Sequence, residues 1–238
     1  MISTKKVAIV TGATKGIGKA ISIGLAQMGY QMVLIGRDKI DLENVSNVIN
    51  EKSGITPVVF QLDITDSESV RQTIQKTKNE LGRIDVLVNN AGIYIGGTLS
   101  LSEDDFNLMM ETNLSAQFVI LQEIVPLMKK QKSGYIFNVA SRAGKIGFAG
   151  SGGYNASKFG LVGLNESLYR ELIPQGISVT ALCPGWVNTQ MATQAGTTLE
   201  SKQMIQPEDL FKTIHWLLSL SPGACVKEVI LETPYSIS

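Results

Sequence analysis

A glycine-rich segment near the start of the chain constrains the fold more than any other feature. Residues 11–18 read Thr-Gly-Ala-Thr-Lys-Gly-Ile-Gly and directly follow the apolar run Val7–Val10. This pattern predicts a buried strand, a tight turn and then a helix. Gly12 permits the turn, Gly16 lets backbone approach a pyrophosphate, and Gly18 lets the helix lie against the strand. Unpaired N–H groups at the helix start attract phosphate. By itself the motif also fits an ordinary strand–helix turn.

The rest of the chain alternates short apolar runs with helical patterns. The runs predict strands at Val7–Val10, Met32–Ile35, Pro57–Gln61, Val86–Asn89, Tyr135–Val139, Ile177–Leu182 and Val226–Leu231. Helices are predicted near 17–29, 39–52, 66–81, 103–131, 153–173 and 207–220. Pro126 should kink or restart the fourth helix. Such alternation indicates parallel strands with right-handed crossovers. The expected fold class is therefore α/β, a Rossmann-type doubly wound parallel sheet of about seven strands flanked by helices in three layers. Because no linker or repeat interrupts the pattern, we expect one domain over 1–238.

Charge and residue usage exclude several classes of function. The chain carries 21 basic and 21 acidic residues, which argues against nucleic acid or an anionic membrane surface as a partner. It has no apolar run of membrane-helix length and no signal-peptide pattern. Cys183 and Cys225 have no metal or redox spacing, and free cytosolic thiols are expected. The single histidine, His215, lies in an apolar helical stretch, so no metal site is predicted. These features favour a cytoplasmic protein.

Polar motifs follow several of the predicted strands. Asn89-Asn90-Ala91-Gly92 ends the fourth strand, Ser141 follows the fifth, and Pro184-Gly185 follows the sixth. In a doubly wound sheet, ligands bind at the carboxyl ends of the strands, where the strand order reverses. Farther along the chain, Tyr154 and Lys158 are four residues apart, so a helix places them on one side. The motifs therefore predict a shared site at one edge of the sheet.

In this order, the motifs resemble those of the short-chain dehydrogenase/reductase family, in its standard-length NAD(P)-dependent subgroup, from about Lys6 to Leu220. The resemblance implies hydride transfer between a nicotinamide and a ketone or secondary alcohol, with Asn113, Ser141, Tyr154 and Lys158 as the catalytic residues. It implies cofactor contacts from Gly12, Thr14, Lys15, Gly16, Ile17, Gly18, Arg37, Asp63, Ile64, Asn89, Ala91, Gly92, Tyr154, Lys158, Pro184, Gly185, Val187 and Thr189. It also implies a small-molecule substrate, a mobile lid near 188–206, and a homodimer or homotetramer.

The residue types suit this chemistry. Hydride addition leaves negative charge on the carbonyl oxygen, and Tyr154 can donate the proton that is needed there. Because a free tyrosine has a pKa of about 10, a cation one turn away should lower that pKa. Lys158 would do so and, by resemblance, would hold the nicotinamide ribose. Ser141 would orient the substrate oxygen, and Asn113 would anchor a proton-relaying water. A tyrosine–lysine pair by itself also occurs on exposed helices.

The end of the second strand predicts NADP(H) as the cofactor. Gly36 stands where NAD-using relatives place an aspartate, and Arg37 follows it. Arg37 and Lys15 occupy positions that NADP-preferring relatives use for the 2′-phosphate, which a carboxylate would repel and a guanidinium would hold. The alternative is that both cations are solvated surface charges. Asp63 and Ile64 resemble the adenine-contacting pair, although Asp63 could simply be a helix N-terminal acid.

Some features leave alternatives open. Many bacterial relatives, including 3-oxoacyl reductases of fatty-acid synthesis, end the last strand in Asp-Gly-Gly, which this chain lacks. This departure places their subunit contacts and acyl-carrier substrate in doubt, although a 3-oxoacyl reductase remains an alternative. A nucleotide-sensing regulator without catalysis is another alternative. It is disfavoured because all four catalytic residues implied by the resemblance are present. A Rossmann methyltransferase is a third alternative, but it would favour an acidic end of the second strand and no tyrosine–lysine pair. Gly160 and Gly163 permit close packing, either in an intersubunit helix bundle or on the chain's own sheet.

Overall fold

The computed structural model describes residues 5–236, and within them seven parallel strands form one sheet. The strands are β1 (Val7–Thr11), β2 (Gln31–Gly36), β3 (Val58–Gln61), β4 (Val86–Asn89), β5 (Gly134–Val139), β6 (Ile177–Pro184) and β7 (Glu228–Leu231). Their order in the sheet is β3-β2-β1-β4-β5-β6-β7, so the order reverses between β1 and β4. The predicted doubly wound α/β fold is confirmed, and its switch point lies beside the glycine-rich turn.

Helices cover both faces of the sheet. They are α1 (Gly16–Gln27), α2 (Lys39–Ser53), α3 (Ser67–Leu81), α4 (Glu103–Met110), α5 (Ala116–Gln131), α6 (Gly152–Leu172), α7 (Gln190–Gln194) and α8 (Pro207–Leu218). Side chains alternate along β1: Ala8 and Val10 pack toward α1, α2 and α8, and Val7 and Ile9 pack toward α3, α5 and α6. Both faces of the strands are therefore buried, which explains their continuous apolar sequences. None of the helices in this part of the chain is long and apolar enough to cross a membrane.

The long helix predicted at 103–131 is divided, but not at Pro126. A π-helical turn, Glu111–Ser115, separates α4 from α5 and carries Asn113. Helix α5 continues through Pro126, which is exposed on its outer side. Water can therefore hydrogen-bond the carbonyl that proline leaves without an N–H donor. The prediction that the helix restarts at Pro126 was wrong, and the division lies instead at a π-turn, which has no simple sequence signature and often occurs at a functional position.

The segment predicted to be a lid has defined structure. It contains α7 and a 3₁₀ turn, Ser201–Gln203. Its ends meet where Ile205 N donates to Trp186 O at 2.9 Å and Asn188 N donates to Ile205 O at 2.8 Å. The segment thus forms a loop after β6 whose two ends are joined by these hydrogen bonds.

Candidate active site

A cleft of about 1250 Å³ runs along the carboxyl ends of the central strands. It begins at the turn after β1, passes Gly36 and Asp63 on one side, and ends near Tyr154 beneath α7. The predicted residues that line it are Gly12, Thr14, Lys15, Gly16, Ile17, Arg37, Asp63, Ile64, Ala91, Gly92, Ser141, Tyr154, Lys158, Pro184, Gly185, Val187 and Thr189. The cleft therefore brings together most of the predicted cofactor contacts and three of the four predicted catalytic residues.

The glycine-rich turn has the backbone shape expected from its sequence. Gly12 and Gly16 have φ values of 61° and 51°, a region that other residues rarely adopt. Gly18 is not part of the cleft lining. It lies under the turn, where an added Cβ would collide with the Gly12 carbonyl oxygen and the Asn90 side chain. Gly18 thus allows α1 to start directly against the turn, and the first residues of the helix, Gly16 and Ile17, line the cleft.

Asn90 supports this turn, a role that the sequence analysis did not assign. Its Nδ2 donates to the carbonyl oxygens of Thr11 at 2.9 Å and Gly12 at 3.1 Å, while Thr11 Oγ1 accepts from Asn90 N and Ala91 N, each at 3.0 Å. Asn89, in contrast, is fully buried and donates to Asn138 Oδ1 at 3.1 Å. The structure places Asn89 outside the predicted cofactor site. Its neighbour Val88 faces the α1 side, and strand alternation could have indicated that Asn89 points the other way.

The end of the cleft next to β2 combines two cations with a glycine. Arg37 Nη1 lies 3.8 Å from Asp63 Oδ2, and Lys15 Nζ donates to Gln190 Oε1 at 3.0 Å. Both contacts are exposed, so a bound anion could replace them at small cost. An added Cβ on Gly36 would lie 2.9 Å from Thr14 Cγ2, so the backbone of β2 approaches the turn closely.

Asp63 makes local hydrogen bonds as well. Its Oδ1 accepts from Thr65 N at 3.0 Å and from Thr65 Oγ1 at 2.9 Å. Asp66, not Asp63, is the N-cap of α3, so these contacts do not make Asp63 the helix N-terminal acid of the alternative, while the cleft lining fits the predicted adenine contact. Ile64 is buried beside it.

The other end of the cleft holds Tyr154, Lys158 and Ser141. The first two lie one turn apart on α6, with Lys158 Nζ 5.7 Å from the centre of the Tyr154 ring. Lys158 Nζ donates to Val139 O at 3.0 Å, which ties it to the end of β5. Ser141 follows β5, and its Oγ accepts from Ala143 N at 3.1 Å. Tyr94 packs edge-on against Tyr154, with ring centres 5.2 Å apart.

Burial controls the protonation of both groups on α6. Burial raises the pKa of Tyr154 to about 12, although the neighbouring Ser141 acts to lower that pKa. Burial lowers the pKa of Lys158 from 10.5 to about 8. The predicted lowering of the Tyr154 pKa by Lys158 is therefore wrong for the free protein, because loss of solvation of the phenolate outweighs the neighbouring groups. At neutral pH, Tyr154 is a protonated donor and Lys158 is mostly cationic.

Asn113 lies behind the cleft rather than in its lining. Its Oδ1 accepts from Ile93 N at 2.8 Å, and its Nδ2 donates to Ile93 O at 2.9 Å and Ser157 Oγ at 3.0 Å. A Cβ on Gly92 would lie 3.1 Å from Asn113 Oδ1 and 3.5 Å from Lys158 Nζ, so Asn113 is close to the lysine. Its side chain fixes the loop after β4.

Thr189 closes the cleft over the glycine-rich turn. It caps α7, accepting from Ala192 N at 3.4 Å, and its methyl group would contact a Cβ on Gly16 at 2.9 Å. Beyond it, the walls near Tyr154 are mostly apolar and include Tyr94, Phe148 and Trp186. This end of the cleft suits an apolar ligand that presents one polar oxygen.

A family model described as short chain dehydrogenase matches residues 6–200. This chain belongs to the short-chain dehydrogenase family. The solved structure of a betaketoacyl-[ACP] reductase from Bacteroides thetaiotaomicron is 47% identical, with a TM-score of 0.88, covering 98% of this chain and 99% of that one. An alcohol dehydrogenase from the archaeon Thermococcus sibiricus, complexed with 5-hydroxy-NADP, is 28% identical, with a TM-score of 0.90 and the same coverage. A 3-oxoacyl-[acyl-carrier-protein] reductase of Thermotoga maritima is 37% identical over 189 residues, which are 78% of this chain and 76% of that protein.

This short-chain dehydrogenase also leaves apolar side chains exposed on its helical surface. Phe118 on α5 and Phe159 on α6 are 45% and 46% exposed. The two glycines of α6 differ in their surroundings. A Cβ on Gly160 would contact Leu114 at 2.8 Å, whereas Gly163 faces open space. Gly160 thus packs within the chain, whereas Gly163 lies on an open surface.

Proposed function

We propose that this short-chain dehydrogenase is an NADPH-dependent oxidoreductase that interconverts a ketone and a secondary alcohol. One observation carries the proposal. A buried, protonated tyrosine, one helical turn from Lys158, lies with Ser141 in the same cleft as the glycine-rich turn. Proton donor, oxygen-orienting hydroxyl and phosphate-binding turn are thereby connected by one continuous space.

The residues around the glycine-rich turn would hold the cofactor. The backbone N–H groups at the start of α1 suit a pyrophosphate. Arg37 and Lys15 suit a 2′-phosphate, since both line the cleft and the last residue of β2 is Gly36 rather than a carboxylate. The Thermococcus sibiricus relative in complex with 5-hydroxy-NADP supports the same choice. In the proposed site, Asn90 supports the turn, and Asn89, predicted as a cofactor contact, is left out of the cleft lining. NADPH, when bound, supplies the hydride.

The protein's own groups manage the proton. Ser141 and Tyr154 would both hydrogen-bond the substrate carbonyl oxygen, which polarises the carbonyl before hydride arrives. As negative charge develops on that oxygen, Tyr154 would donate its phenolic proton, so that ketone, hydride and proton give the alcohol. The Lys158 ammonium would stabilise the resulting phenolate and bind the nicotinamide ribose. Asn113 would act indirectly, by fixing the loop beside Lys158.

The alternative functions differ in the ketone that the protein would reduce. Similarity to the Bacteroides thetaiotaomicron betaketoacyl-[ACP] reductase, at 47% identity, favours a 3-oxoacyl thioester as a second candidate. The absence of the Asp-Gly-Gly ending and the apolar walls of the cleft favour a simpler ketone. A nucleotide sensor would bind NADPH and turn nothing over.

A substrate panel separates these functions. NADPH oxidation is followed with aliphatic, cyclic and aromatic ketones and with acetoacetyl-coenzyme A. Turnover on simple ketones that exceeds turnover on the thioester supports a carbonyl reductase, and the reverse order supports the 3-oxoacyl alternative. Tight NADPH binding without turnover on any of them would support the sensor and contradict the proposed enzyme.

The wider organisation belongs to the same proposal. Residues 1–238 would form a single NAD(P)-binding domain, and 188–206 would form the substrate lid, supported by its hydrogen-bonded base. A homodimer or homotetramer is supported by Phe118, Phe159 and the open face of Gly163. The free thiols of Cys183 and Cys225 favour a cytoplasmic location.

A further inference from the structure

The chain does not leave the molecule after β7. Residues 232–236, here called the C-terminal strap, continue past the end of the sheet and contact Gln203 and Arg142. Thr233 is buried and donates from its Oγ1 to Gln203 O at 2.5 Å, in the 3₁₀ turn at the end of the lid segment. Ser236 N in turn donates to Thr233 O at 3.1 Å. The strap therefore contacts the lid segment at its base.

The other contact of the strap is with Arg142, the residue after Ser141. Arg142 Nε lies 2.7 Å from Glu232 Oε1, a close ion pair rather than an aligned hydrogen bond. Arg142 Nη1 donates to Ser236 O at 2.9 Å. The side chains of Arg142 and Glu232 are 15% and 28% exposed, so this pair is shielded from solvent more than most ion pairs of the described chain. Two partners on the strap thus fix the planar guanidinium.

Arg142 also forms part of the cleft wall. Its guanidinium carbon lies 5.6 Å from the centre of the Phe148 ring, and both residues line the end of the cleft that holds Tyr154. Arg142 belongs to the same 3₁₀ turn, Arg142–Gly144, that Ser141 caps through the bond from Ala143 N. The strap is therefore connected to the hydroxyl of Ser141, to an aromatic wall and to the base of the lid segment.

We propose that Glu232 and Arg142 are positioning residues, through which the C-terminal strap sets the orientation of Ser141 and Phe148 toward the substrate. The proposal rests on the proposed ketone–alcohol activity. Without Glu232, the shielded Arg142 charge would lack its partner, and the guanidinium would turn toward water. The turn that carries Ser141 would then lose its tie to β7 and the lid segment. This assigns a role to the unusual sequence Glu232-Thr233-Pro234, where many bacterial relatives have Asp-Gly-Gly.

The test is Glu232→Gln, which keeps the side-chain size and removes the charge. Its matched control is Glu171→Gln, which breaks the exposed ion pair with Lys129 at 2.8 Å, outside the cleft lining. For the strap variant, kcat/KM for a ketone should fall by about tenfold, because Ser141 would be less well oriented toward the substrate oxygen, while the Kd of NADPH stays within about twofold of native. The control variant should match native protein in both quantities.

Hydrogen exchange gives a second readout that needs no activity. Glu232→Gln should speed amide exchange in segments 142–146 and 201–206, and Glu171→Gln should not. Thr233→Val, which removes the bond to Gln203, should speed exchange at 201–206 and serves if the first variant fails to fold. If native protein turns over no ketone, the proposed function fails, and amide exchange alone then tests the positioning role of the C-terminal strap. The proposal is overturned if amide exchange is unchanged in both Glu232→Gln and Thr233→Val, or if Glu232→Gln and Glu171→Gln have equal kcat/KM.

Discussion

Replacing Lys158 with methionine should make the protein more stable and less active. The folded chain holds this lysine almost fully buried, which lowers its pKa from 10.5 to about 8. At about 1.36 kcal/mol per pH unit, the buried charge costs about 3 kcal/mol of folding free energy at pH 7. Methionine fills a similar volume without that cost, but it leaves Val139 O without its donor, a loss of about 1 kcal/mol. The net expected gain in unfolding free energy is about 2 kcal/mol.

The gain should depend on pH with a defined sign. Between about pH 8 and 10.5, unfolded chains bind more protons at Lys158 than folded chains, so native stability rises with pH across this window. The methionine variant lacks this rise, and its advantage should disappear by pH 10.5. Urea unfolding at pH 7 and pH 10.5 measures both effects, with Lys129→Met as a surface control. A variant that is less stable than native at pH 7, or that keeps the native pH dependence, would refute the reasoning.

Two further predictions concern the cofactor and the tyrosine. NADPH should bind at least about tenfold more tightly than NADH, and Arg37→Asp should remove that preference; equal affinities for both cofactors in native protein, by calorimetry, would contradict the assignment. In the free protein, Tyr154 should remain protonated to above about pH 10, because burial raises its pKa to about 12. Ultraviolet titration of native protein and Tyr154→Phe isolates this group, and a phenolate signal specific to Tyr154 near pH 8 would show that burial does not control it.

Local sequence patterns predicted the fold and much of the candidate site. The turn after β1 was predictable because Gly12 and Gly16 adopt a backbone conformation that few other residues tolerate. The Tyr154–Lys158 pair was predictable because helical spacing places residues four apart on one side. Both features depend only on residues that are close together in the sequence, so they can be inferred from the sequence itself.

The features that were missed depend on tertiary contacts. Asn90 acts on Thr11 across the sheet, some eighty residues away, and nothing in the local motif distinguishes it from Asn89 except strand alternation. The π-turn that carries Asn113, and not Pro126, divides the predicted helix, and the side chain of Asn113 is held there by Ile93 and Ser157. The pKa of Tyr154 went opposite to expectation because burial is set by the whole fold.

The most direct test of the proposed activity is the rate of NADPH oxidation with the best ketone of the panel, in native protein and in Tyr154→Phe. General acid catalysis contributes about a hundredfold or more, so the variant should lose at least that factor in kcat while binding NADPH with nearly native affinity. Tyr169→Phe, the same substitution farther along α6, should keep native turnover. If Tyr154→Phe also retained near-native turnover, Tyr154 would not be the proton donor, and the proposed mechanism would be wrong.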